Sequence, residues 1–186
     1  MILPIVAFGA PILRKKCTDI TPEYPELEAL LANMWETMYE ACGVGLAAPQ
    51  INKGIRLFLI DTTPFVEDEE ETEEVIVKQA FINARIIEEI GEEWDFNEGC
   101  LSIPDVREDV SRKSTITIEY MDENFEKHTA TYDGLTARVI QHEYDHIDGI
   151  LFTDKLTALR KRMIKGKLLD ISKGKVNATY KMRFFR

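Results

Sequence analysis

Thr115-Ile116-Thr117-Ile118-Glu119-Tyr120 and Phe125-Glu126-Lys127-His128-Thr129-Ala130-Thr131-Tyr132, joined by Met121-Asp122-Glu123-Asn124, decide the fold. Both arms are rich in β-branched and aromatic residues and the joint is mostly polar, which predicts an antiparallel hairpin. Asp133-Gly134 then opens a helix that runs to about Asp148-Gly149. Along it Leu135, Val139, His142 and His146 follow an i, i+4, i+7, i+11 course, so two histidines extend the apolar stripe into the core.

The run Gln141-His142-Glu143-Tyr144-Asp145-His146 gives those histidines a chemical reading. Imidazoles four residues apart on one helix face can bind one metal ion, and the glutamate between them can take a proton from water. A bare His-Glu-x-x-His also arises by chance, and two hydrogen-bonded core histidines are the simpler alternative. Burying both without polar partners would be costly, which favours a metal. A catalytic site of this kind needs a third protein ligand. One protease class continues with His-x-x-Gly-x-x-His, but here Gly149 is followed by Phe152 at the ligand position. The next predicted helix, Lys155 to Asp170, contains no glutamate, and His128 reads as an exposed strand residue. Cys100, in Glu98-Gly99-Cys100-Leu101-Ser102, is the remaining candidate. A thiolate with two imidazoles leaves one tetrahedral position open. The alternative for Cys100 is a small buried hydrophobe, the common fate of a free cysteine.

Upstream, Pro25 to Ala41 carries Leu27, Leu30, Leu31, Met34 and Met38 at helical spacing, with Pro25 in the first turn. Ile55 to Ile60, Val75 to Ile82 and Arg85 to Ile90 read as strands, and Val176 to Phe185 as an extended tail. Gly166 weakens the middle of the Lys155 to Asp170 helix. No repeat or linker divides the 186 residues. The expectation is one α+β domain, with antiparallel strands around a central metal-binding helix and an extended C-terminal segment.

The net charge of −10 is unevenly spread. Glu67 to Glu74 is acidic everywhere except Thr72 and reads as a solvated loop insertion at about 66–75. From Arg160 to Arg186, ten Lys or Arg face Asp170 alone. A solvated basic face is the simpler reading, and docking on a polyanion such as RNA is the other. Met1 to Leu13 is uncharged but lacks a basic start, is interrupted by Pro4 and Pro11, and is too short to span a bilayer. Cys17, Cys42 and Cys100 make no disulfide framework, which fits a cytoplasmic location. Cys17 and Cys42 read as buried packing residues.

Three stretches together resemble the signature motifs of the peptide deformylase family in order and separation. They are Gly43-Val44-Gly45-Leu46-Ala47-Ala48-Pro49-Gln50, Glu98-Gly99-Cys100-Leu101-Ser102 and Gln141-His142-Glu143-Tyr144-Asp145-His146-Ile147-Asp148-Gly149. The resemblance implies a hydrolase that removes the formyl group from the N-terminal formylmethionine of newly made proteins and releases formate. It implies one divalent metal, Fe(II), on Cys100, His142 and His146, with Zn(II) or another divalent ion able to substitute. Glu143 would accept a proton from water and pass one to the leaving amine. Gln50 and the backbone N–H of Leu101 would hydrogen-bond the oxyanion. Val44, Leu135 and Val139 would line the methionine pocket, and Gly45 would bring backbone close to the substrate. Glu98 and Arg107 would stand near the substrate entrance, a surface ion pair being the alternative. Asp145 and Arg112 would support the ligands from behind. Ile147 stands where the family has leucine, a volume-conserving change. The acidic insertion lies outside the family pattern and is expected to be dispensable. The implied partners are formylmethionyl N-termini of nascent chains and, through the basic tail, the ribosome; no membrane is implied. A metalloprotease with another third ligand, a binding module with a structural metal and a deformylase paralogue with another formylated or acylated substrate are the rival readings.

Overall fold

The structure, a computed structural model, describes residues 1–65 and 76–185. The acidic stretch Glu67 to Glu74 lies outside the described residues. The elements are β1 (Ile5–Val6), α1 (Leu27–Glu40), β2 (Gly45–Ala47), β3 (Leu57–Asp61), β4 (Lys78–Cys100), β5 (Ile103–Met121), β6 (Lys127–Asp133), α2 (Gly134–Ile147), α3 (Ala158–Ser172) and β7 (Met182–Arg183). Strands β2-β3-β4-β5-β6 form one antiparallel sheet in that order, and β1 pairs parallel with β7.

Strands β5 and β6 form the expected antiparallel hairpin, with Ile116 opposite Tyr132 and Ile118 opposite Ala130. Asp122 shapes its turn by accepting the N–H groups of Asn124 and Glu126 at 2.8 and 3.0 Å. His128 lies on β6, its ring nitrogen donating to the Asp122 carboxylate at 2.9 Å. The chain then enters α2 directly. This helix is buried on nearly every side, including Ala137, Val139, Ile140, Glu143, His146 and Ile147, and packs against β2, β3, β5 and β6. Gly149 ends it at φ +76°, where a methyl group would also come within 2.8 Å of the Arg14 backbone.

The two strands expected at Val75–Ile82 and Arg85–Ile90 are parts of the single strand β4. A bulge joins them at Asn83, whose φ is +53° and whose side chain holds both backbone groups of Ile20 at 2.9 and 2.7 Å. Strand β5 begins well before the expected Thr115. On its buried face Val106 and Val110 alternate with Glu108 and Arg112, so inward charges hide the apolar period. The last helix starts at Ala158 instead of Lys155, because Thr157 caps it by accepting the Arg160 N–H at 3.3 Å. Phe152–Lys155 forms a separate 3-10 turn before it.

Three apolar clusters fill the interior: α1 against β2 and β3, α2 against the sheet, and the N-terminal segment with β5 and α3. Among the described residues, no helix is long and apolar enough to cross a membrane.

Candidate metal centre

Three segments distant in sequence converge beside α2. Cys100 ends β4 and pairs with Ile103 across the two-residue turn Leu101–Ser102. His142 and His146 sit one turn apart on α2, their ring centroids 5.1 Å apart and nearly perpendicular. The Cys100 Sγ lies 3.3 Å from His146 Nε2. One nitrogen from each histidine and the sulfur all lie within 4.8 Å of one another. Ligands around a tetrahedral ion with bonds of about 2.0–2.3 Å stand about 3.3–3.8 Å apart, so this cluster needs little adjustment to hold one. The donors, one sulfur and two imidazoles, suit Zn(II) or Fe(II) better than Mg(II) or Ca(II). Phe152, at the position where one protease class has its third histidine, instead stacks on His142 with centroids 6.1 Å apart.

A buried ion-pair chain supports the histidine. His142 Nδ1 meets Glu98 Oε2 at 2.9 Å, which turns its other nitrogen toward the cluster. Arg112 donates to both Glu98 oxygens at 2.7 and 3.0 Å and to Asp145 at 2.7 Å. Arg138 adds a third donor to Glu98 at 3.0 Å. Burial alone would raise the Glu98 pKa, but the bonds from His142 and Arg112 outweigh it and hold the carboxyl well below its usual range. His142 is likewise disfavoured as a cation by burial, yet its bonds to Cys100 and Glu98 hold it well above the ordinary value. His146 moves the other way, kept neutral by burial and by the nearby His142 charge.

Glu98 and Arg107 both line the cavity that opens over the cluster, with Glu98 4% exposed and committed to arginines and His142. The alternative, an ion pair between Glu98 and Arg107, is absent. Alternation along β5 turns Arg107 outward, where it donates to the Asn97 side chain at 2.9 Å and to the Asn97 carbonyl. Asp145 and Arg112 stand behind the ligands, as expected from their sequence positions.

Gln50 ends the Gly43–Gln50 stretch in a 3-10 turn, buried at 1% exposure. Its Oε1 accepts the Ala47 N–H at 2.8 Å, so its amide nitrogen faces Cys100 Sγ at 3.5 Å and Ser102 Oγ at 3.4 Å. Gly45, on β2, lies against Glu143: a methyl group there would fall 2.5 Å from Glu143 Oε1. Glu143 Oε2 is buried with no hydrogen-bond partner. Burial pushes this carboxyl up to about 7, with the His142 charge pulling against it.

A cavity of about 510 Å³ opens over these groups. Val44, Gly45, Gln50, Glu98, Cys100, Leu101, Arg107, Val139, His142 and Glu143 all line it, and His146 lies buried behind. Leu135, one turn before Val139 in α2, is half-buried and is not among the lining residues. Cys17 is buried as expected, but Cys42 is exposed and lines the cavity. It takes the left-handed position after α1, at φ +53°, where the Gly43 N–H bonds back to Met38 and turns the side chain out of the core.

Sequence reasoning missed Arg138 and the tail. Arg138, at 2% exposure, also donates to the carbonyls of Val110 at 2.8 Å and Trp94 at 2.6 Å. A lone arginine within a helix carries no local sign of this. Asn177 to Tyr180 also line the cavity, and nothing in their composition marks them.

The sequence profile of the polypeptide deformylase family matches residues 2–162. The chain is 65% identical to a peptide deformylase of Christiangramia forsetii, over 99% of this chain and 96% of that one. It is 60% identical to a peptide deformylase of Flavobacterium johnsoniae over the same shares. Its fold is similar to the crystal structure of a peptide deformylase from Legionella pneumophila, with a TM-score of 0.80 and 35% identity over 94% of this chain and 98% of that one. It is also similar to a plant enzyme, peptide deformylase 1B of Arabidopsis thaliana, with a TM-score of 0.82 and 30% identity over 92% and 91% of the two chains.

Proposed function

The chain belongs to the polypeptide deformylase family, and we propose that Cys100, His142 and His146 hold its metal while Glu143 moves the proton. It is a metal-dependent hydrolase that removes the N-terminal formyl group from the formylmethionine of newly synthesised proteins and releases formate. A divalent ion on these ligands supplies a Lewis acid that brings the ionisation of water toward neutral pH.

Glu143 then accepts a proton from water and returns one to the departing amine. Burial raises the proton affinity of this carboxyl, which suits it to take that proton and give it back. The Gln50 amide and the Leu101 N–H hydrogen-bond the formyl oxygen as negative charge develops on it. Val44 and Val139 offer apolar surface to the methionine side chain, and Gly45 lets the substrate backbone approach. Glu98 orients His142, Arg112 and Arg138 hold Glu98, Asp145 holds Arg112, and Arg107 stands at the rim. Leu135 supports Val139 from the preceding turn.

The observation that carries this reading is the convergence of Gln50, Cys100, His142 and Glu143 on one cavity. Fe(II) is the working metal and Zn(II) a tighter-binding substitute under air. Anaerobically reconstituted protein should release formate from a formyl-methionyl peptide and not acetate from its acetylated counterpart. Cys100→Ala should lose bound metal. Full metal in that variant would favour a hydrolase with another third ligand, and a metal-loaded wild type without turnover would favour a structural metal.

The location is cytoplasmic, supported by three free cysteines. The whole chain is one catalytic unit, and the acidic stretch at about 66–75 is an insertion outside the chemistry. The exposed Lys173, Lys175, Lys181 and Arg183 support a contact between the basic tail and ribosomal RNA. Neutralising all four should lower salt-sensitive ribosome binding, and unchanged binding would rule the contact out.

A further inference from the structure

Tyr180 lies beyond residue 162, where the match to the family profile stops. Its hydroxyl nevertheless donates to the carbonyl of Leu101 at 2.6 Å. Its ring packs with Leu101 against the cluster that covers α1. Asn177, Ala178, Thr179 and Tyr180 line the cavity that also holds Gln50, Cys100 and Glu143. The segment is anchored just past Tyr180 by β7, where Ile5 and Ala7 donate to the carbonyls of Lys181 and Arg183, both at 2.9 Å.

The turn Leu101–Ser102 has only two residues between the paired Cys100 and Ile103, and most of its anchors come from elsewhere. Phe8 N–H holds the Ser102 carbonyl at 2.8 Å, and Gln50 reaches the Ser102 hydroxyl at 3.4 Å. The Leu101 carbonyl has Tyr180. Rotation about the Leu101 backbone, which this bond resists, would swing the adjoining peptide plane that carries the Leu101 N–H.

We infer that Tyr180 is a positioning residue: its hydroxyl fixes the Leu101–Ser102 peptide plane and, through the Leu101 backbone dihedrals, the neighbouring plane whose Leu101 N–H meets the formyl oxygen, which makes the C-terminal segment part of the active site. The inference rests on the reading of Leu101 N–H as an oxyanion donor. That donor strengthens its bond only as charge develops, so losing its alignment slows the chemical step and leaves substrate binding nearly intact.

Tyr180→Phe keeps the ring and removes the hydroxyl. With a formyl-methionyl tripeptide and metal-loaded protein, kcat should fall about 5- to 10-fold, the scale of one misaligned donor, while KM stays within about twofold. Metal content and melting temperature should stay close to wild type. A wild-type kcat in the variant would overturn the inference. So would a raised KM at unchanged kcat, which would make Tyr180 a substrate contact. A loss of kcat that tracks lost metal or lost fold would also overturn it, since the hydroxyl would then be structural. Failure of the wild type itself to release formate would count against the deformylase reading, separately from Tyr180.

Discussion

Glu98 Oε2 and His142 Nδ1 lie 2.9 Å apart inside the protein, and the same carboxylate takes bonds from Arg112 and Arg138. One buried anion thus fixes the imidazole and accepts from two guanidinium groups, one of which, Arg112, is also paired with Asp145. Replacing Glu98 with Gln keeps the shape and removes the charge. Metal affinity should fall roughly 10- to 100-fold. The fold should lose about 3 kcal/mol, since Arg138 is left buried without an anionic partner while Arg112 keeps only Asp145. Chelator competition and thermal melts measure the two effects separately.

Gly45 makes a different demand. A methyl group at that position would lie within 2.8 Å of three Glu143 atoms, so the carboxylate must move aside. Gly45→Ala should therefore reduce kcat/KM by about 100-fold through displacement of the proton carrier. The melting temperature should fall as well, because the clash reaches the Cγ and Cδ of a buried side chain. A variant as active as wild type would mean that Glu143 has room the structure does not show.

The helix α2 and the hairpin before it were legible because their signals are local. The period of Leu135, Val139, His142 and His146 puts both histidines on a buried face without reference to any other segment. Strand β4 was not legible beyond Ile90, since Glu88, Glu89, Glu92 and Glu93 mask any apolar alternation and the pairing with β5 decides its length. Glu98 looked like a surface acid because the two arginines that bury it come from β5 and α2. Tyr180 was invisible for a related reason. Its partner is a backbone carbonyl 79 residues away, and sequence carries no trace of which carbonyl a tyrosine will find.

Cys17 offers a test of burial by pH. Burial pushes its thiol from the ordinary 9.0 up to about 11, with Arg56 pulling it down and Asp148 pushing it up. The folded state therefore binds the thiol proton more tightly than the unfolded chain. The stabilisation linked to it is complete below pH 9 and is lost as pH rises toward 11. Wild type should lose stability across that window more steeply than Cys17→Ala. In native protein at pH 8, the exposed Cys42 should react with a thiol reagent well before Cys17.

We propose that the acidic stretch Glu67 to Glu74 takes no part in the chemistry. Its deletion should leave formate release within about twofold of wild type, because such runs are ordinarily solvated. Loss of activity in a folded, metal-loaded deletion variant would assign the stretch a part in catalysis.

The central claim is that Glu143 carries the proton beside a metal held by Cys100, His142 and His146. The most direct measurement is formate release by Glu143→Gln, reconstituted anaerobically with Fe(II) and assayed alongside its metal content. The variant should bind a full complement of metal and lose at least about 1,000-fold in kcat, near the upper range for a general base. Formate release within tenfold of wild type, with metal in place, would contradict the claim.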